Sequence, residues 1–87
     1  MVKIQEQFCP IDYGFTWTDD DWYRWDYKEG HKLARQARDR YAREAIQDGC
    51  KVRKFSQSGS LVSRGGIGSG HPHIEQVVTV YLVEVWK

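Results

Sequence analysis

Eighty-seven residues carrying a net charge of +1 leave room for one hydrophobic core and exclude a second, close to the smallest size at which a core holds a chain without staples. Two cysteines, Cys9 and Cys50, allow at most one bridge, and the N-terminal residues lack the basic stretch and apolar run of a secretion signal, so a cytoplasmic chain with reduced thiols is expected. No apolar run approaches the roughly 20 residues that span a bilayer, since even Val77 to Val85 is interrupted by Thr79 and Glu84; no membrane partner is expected.

Charge is unevenly distributed. Residues 1–27 hold two basic and six acidic side chains, residues 28–64 ten and four, and residues 65–87 one and two. The basic middle block has two physical readings: a solvated helix face partly paired with the acidic N-terminal segment, or a patch for an anionic partner.

In chain order, residues 2–25 combine a strand with an aromatic and acidic segment. Val2, Ile4 and Phe8 alternate with Lys3, Gln5 and Gln7, the period of a half-buried strand. Cys9-Pro10 ends it, because proline lacks the ladder donor. The following IDYGFTWTDDDWYRW suggests a short strand at Phe15 to Trp17 and a turn through Thr18 to Asp21. Trp17, Trp22 and Trp25, with Tyr13 and Tyr23, gather aromatic surface in one region. This segment either folds over one side of a sheet, replacing a missing second helix, or stands exposed as a platform for a protein partner or stacked bases. Asp19, Asp20 and Asp21 argue against bases, because three carboxylates repel a phosphate backbone.

Residues 26–48 are predicted to form a helix marked at both ends. Asp26 and Glu29 have capping-box spacing, and Gly49 can close the other end in the left-handed conformation. At about 100° per residue, Tyr27, Gly30, Ala34, Ala37, Tyr41 and Ala45 share a stripe flanked by Leu33 and Ile46. Its small residues allow close approach to a sheet. Lys28, Lys32, Arg35, Arg40, Arg43 and Glu44 form the solvated side, and Asp39 to Arg43 is a favourable i,i+4 pair.

Residues 50–56 (CKVRKFS) read as an edge strand. Residues 57–73, dominated by Gly and Ser, read as a long mobile hairpin connection, with Leu61 to Ser63 able to continue the strand beyond a bulge. Residues 74–86 are the strongest strand. One face carries Ile74, Val78, Val80, Leu82 and Trp86; the other carries Val77, Tyr81, Val83 and Val85. Both faces are apolar, yet one helix can cover only one of them. The aromatic N-terminal segment or a second copy of the chain must shield the other.

Motifs for chemistry are weak. His71 and His73, even with both cysteines, lack the spacing of a zinc site. Gly65-Gly66-Ile67-Gly68-Ser69-Gly70 has the composition of a phosphate loop but enters a strand and lacks the Gly-Lys-Ser/Thr ending. Ser58, Ser60, Ser63 and Ser69 lie near the histidines without a nucleophile elbow or an orienting carboxylate. No catalytic residue, metal, cofactor or small-molecule substrate is therefore assigned. Lys51, Arg53, Lys54 and Arg64 are the candidate phosphate contacts of a nucleic-acid-binding module, although no helix-turn-helix, zinc finger or aromatic RNA-binding signature accompanies them.

The succession of a capped, arginine-rich helix ending in Asp48-Gly49, a basic strand (KVRKFS), a Gly-rich connector (SRGGIGSG) and a terminal apolar strand (VVTVYLVEVW) resembles small accessory proteins encoded by bacteriophages and mobile elements. The resemblance covers roughly residues 26 to 87. It implies a protein that binds a host or phage macromolecule in the host cytoplasm, inhibition of a host enzyme being one form.

The expectation is therefore a single α+β domain of two layers in the order β-(β)-α-β-β, one long helix across a three- or four-stranded, mainly antiparallel sheet. The expected function is non-enzymatic protein–protein contact, as a homodimer or with a host protein, through Trp17, Trp22, Trp25, Tyr81, Val83 and Val85. Nucleic-acid binding through Lys51, Arg53, Lys54 and Arg64 is the alternative.

Overall fold

The computed structural model describes residues 2–17, 23–66, 68 and 71–87, and of residues 16, 17, 23, 71 and 72 the backbone alone. Its central strand, β5 (His71–Trp86), lies between β1 (Lys3–Phe8) and β4 (Lys51–Gly66) and runs antiparallel to both. A 3-10 turn (Pro10–Asp12) follows β1, and two short strands, β2 (Phe15–Trp17) and β3 (Tyr23–Trp25), pair with each other. One helix, α1 (Tyr27–Gln47), completes the α+β fold. The predicted turn through Thr18 to Asp21 lies outside the described residues.

Alternation along β5 sends its apolar side chains to two faces, and different parts of the chain cover each. Val83 and Val85, both 0% exposed, pack with Ala42 and the half-buried Tyr41 and Ala45 of α1, together with Phe8, Cys50 and Val52. Val78, Val80 and Leu82 pack instead with Cys9, Ile11 and Val62, joined by Phe15, Trp25, Phe55 and Ile74. The N-terminal segment thus takes the place of a second helix. Burial of each such valine contributes roughly 1.5–3 kcal/mol.

Helix α1 starts where the capping pattern places it, but only half of the box closes. The Asp26 carboxylate accepts from Glu29 N–H at 2.9 Å, while Asp26 N–H donates to the Gly14 carbonyl at 3.0 Å. At the other end Gly49 (φ +84°) donates to the Ile46 carbonyl and Cys50 N–H to that of Ala45. This paired closure satisfies two carbonyls of the last turn.

The buried stripe is rotated from the predicted one. Gly30, Ala34 and Ala42 are buried, whereas Tyr27 is exposed. The rotation follows from polar partners on the sheet. Arg38 donates to the Phe55 carbonyl at 3.0 Å with its guanidinium 5.3 Å from the Tyr81 ring centre, and His31 Nδ1 shares a 3.0 Å hydrogen bond with the Tyr81 hydroxyl. Lys28, Lys32, Arg35, Arg40, Arg43 and Glu44 face solvent as expected.

Residues 57–73 are not the predicted long connection. β4 runs on to Gly66 and β5 begins at His71, so residues 57–66 and 71–73 are strand. The composition misleads because the glycines bend a continuing strand. Gly59 (φ +75°) lies within a register shift between Gln57 and Ser60, and Gly65 (φ +78°) within another between Arg64 and Gly66. Each irregularity absorbs backbone that the partner strand does not match.

Candidate interaction surface

Of the six residues expected to meet a protein partner, Val83 and Val85 are core residues beneath α1 and present no surface. They are corrected from partner contacts to helix contacts, because the helix reaches the face that sequence alone left uncovered. Tyr81, half-buried, directs its hydroxyl to His31. Trp25 is also half-buried, and its indole N–H donates to the carbonyls of Pro10 at 3.0 Å and Tyr13 at 2.9 Å. Trp22 and the side chain of Trp17 lie outside the described residues.

The four candidate phosphate contacts do not form one patch. Lys51 and Arg53 share one face of β4, while the adjoining Lys54 lies on the other and reaches Asp39 on α1 at 3.5 Å. Arg64 lies along the hairpin, tied to Asp12 at 2.8 Å. The neighbouring basic side chain Arg38 lies 3.1 Å from Asp39. Desolvation, the largest single effect, raises the Asp39 pKa, but the Arg38 hydrogen bond, the charges of Arg38 and Lys54 and the Lys54 hydrogen bond together outweigh it and leave the group below its ordinary range.

Lys51 and Arg53 belong to a different assembly, on the sheet face opposite α1. The two registers align Lys3, Trp86 and Lys51 in one row across the three strands, Gln5, Glu84 and Arg53 in the next, and Gln7, Leu82 and Phe55 in the third. The β1 and β4 side chains of the first two rows are exposed. Glu84, only 6% exposed, lies between two cations, with Lys3 Nζ at 3.0 Å and the Arg53 guanidinium at 2.6 Å. The Lys3 hydrogen bond, with those of Arg53, holds this carboxyl below its usual range against the opposing effect of burial.

Both aromatic rings on this face lie close to cations. Lys51 Nζ lies 5.8 Å from the Trp86 ring centre and the Arg53 guanidinium 4.5 Å from that of Phe55. Trp86 and Lys51 also border a depression lined by Asp48, Gly49, Cys50 and Lys87. Sequence reasoning found Lys51 and Arg53 but missed Lys3, Trp86 and Phe55. The signal was the outward parity of Lys3, Trp86 and Glu84, legible only once the strand registers are known.

A second exposed feature lies farther along the hairpin. Leu61 and Val77 face each other across β4 and β5 and are 67% and 61% exposed. Val77 shares the face of Tyr81, Val83 and Val85, but the helix no longer covers it.

Among the described residues, no cluster of three or more His, Cys, Asp or Glu side chains has the arrangement of a metal site, and both cysteines are free. No described helix is long and apolar enough to cross a membrane. The chain matches no protein-family model, no curated protein and no solved structure.

Proposed function

We propose that the protein is a non-enzymatic binding protein acting through protein–protein contact, and that self-association through the far part of the β4–β5 hairpin is its simplest form. The observation that supports this is the exposed Leu61–Val77 pair, which lies where α1 stops covering its face of the sheet. Apolar side chains in a cross-strand pair gain by excluding water together. A second copy offers Val77 to Leu61 and Leu61 to Val77 about a two-fold axis, so one patch serves both partners. Glu75 and Ser63, exposed beside the pair, provide a polar rim.

The test is the mass in solution, measured by light scattering across a wide concentration range. A mass rising towards twice the 10.2 kDa of the chain, and returning to the single-chain value in Leu61→Lys with an unchanged circular dichroism spectrum, is the expected result. A single-chain mass at every concentration, or a dimer that Leu61→Lys leaves intact, overturns the proposal.

A further inference from the structure

We infer that the sheet face opposite α1 is a binding surface for single-stranded nucleic acid, in which Trp86 offers a stacking plane and Lys3, Lys51 and Arg53 meet the phosphates. This surface is separate from the Leu61–Val77 pair and does not depend on self-association.

Charge complementarity supports this occupant. The first two rows present three cations and one carboxylate, and Glu84 is recessed beneath two of those cations, so an approaching ligand meets Lys3, Lys51 and Arg53 before it meets the acid. The nearest exposed countercharge in the adjoining depression is Asp48, offset by Lys87. An anionic polymer with flat bases matches both the cations and the rings. Base–aromatic stacking tolerates any sequence, and cations beside the ring follow the backbone.

Lys51 has the flexible stem needed to swing from the Trp86 ring to a phosphate, leaving the ring to a base. The row Lys3, Trp86, Lys51 then places a positive charge on each side of one stacking plane, with neighbouring strands about 4.8 Å apart. Gln5 and Gln7, exposed on the same face, offer amide donors and acceptors to base edges. Stacking on the Trp86 ring requires a base face that is free of its neighbours, which favours an unpaired strand.

The experiment is fluorescence anisotropy of a labelled 15-nucleotide oligo-dT with the full chain, from about 25 to 200 mM salt. Binding is expected with a log–log salt slope near −2, about −0.7 for each of three phosphate contacts on a single strand. Trp86→Leu and Lys51→Glu should each weaken binding about tenfold or more, while the helix-face double variant Lys28→Glu/Lys32→Glu leaves it unchanged. Circular dichroism checks that every variant is folded.

The inference is overturned by no anisotropy change at the lowest salt, or by binding that survives both sheet-face substitutions. It also fails if the helix-face double variant abolishes binding, or if a duplex of the same length binds more tightly. Equal competition by poly-glutamate assigns the face to an acidic protein partner instead.

Discussion

At the scale of single residues, Gly30 shows how close packing can override helix propensity. A methyl group there would lie 2.5 Å from the Pro10 carbonyl and 2.7 Å from the Trp25 indole nitrogen, where the backbone of Gly14 also crosses. Gly30→Ala should therefore destabilise the protein by about 2 kcal/mol or more, despite a gain near 1 kcal/mol in intrinsic propensity. Urea unfolding would show this as a lower midpoint. Glu84 gives a prediction with a definite pH sign. Its carboxyl titrates below the ordinary value of 4.5 in the folded chain, so the unfolded chain binds the proton first as pH falls. The stabilisation from this group is thus present above about pH 4.5 and lost below it. Thermal unfolding of Glu84→Gln should depend less steeply on pH in that acid range than the wild type.

The same scale marks a limit of sequence reasoning. Small residues at 30 and 34 are legible as a close-approach surface, whereas the buried Ala42 lies outside the stripe read from the sequence; the identity of what approaches is not legible, because Gly14 is distant in sequence. Arg38 enters the sequence reading only as one charge of the basic block at residues 28–64. Its guanidinium is instead held by the Phe55 carbonyl and Asp39 above the Tyr81 ring, partners that helical periodicity cannot reveal. Glu84 reads in the sequence as an interruption of the apolar run, yet long side chains on two neighbouring strands bury it.

At the scale of elements, the helix is specified locally and the hairpin is not. Asp26→Ala should cost about 1 kcal/mol by removing the acceptor of the Glu29 N–H bond, a loss measurable by chemical denaturation. Both ends of α1 were legible because caps act through residues three to five positions apart. β4 was truncated in prediction because Gly59, Gly65 and Gly66 suggest a loop; only pairing with β5 turns them into bends in a strand. Alternation in β5 correctly divided Val78, Val80 and Leu82 from Tyr81, Val83 and Val85. It could not say how far the helix would reach along either face. That reach separates the buried Val83 and Val85 from the exposed Val77.

The molecule as a whole measures 48 × 23 × 23 Å, long enough to keep two chemically different surfaces apart. Lys3, Lys51 and Arg53 surround aromatic rings near the chain ends, while Leu61 and Val77 lie farther along the hairpin. The two proposals therefore separate experimentally: Leu61→Lys should abolish association while leaving oligo-dT binding to each monomer in place, and Lys51→Glu should do the reverse.

The register of β1 has a consequence for how the chain acquires its shape. Lys3 pairs with Trp86, and Val2 exchanges two backbone hydrogen bonds with Lys87 at 2.9 and 2.8 Å, so the first strand must find a partner almost a full chain length away. Closing so large a loop costs more entropy than closing the β4–β5 hairpin. The helix and hairpin are thus expected to assemble first and β1 to dock late.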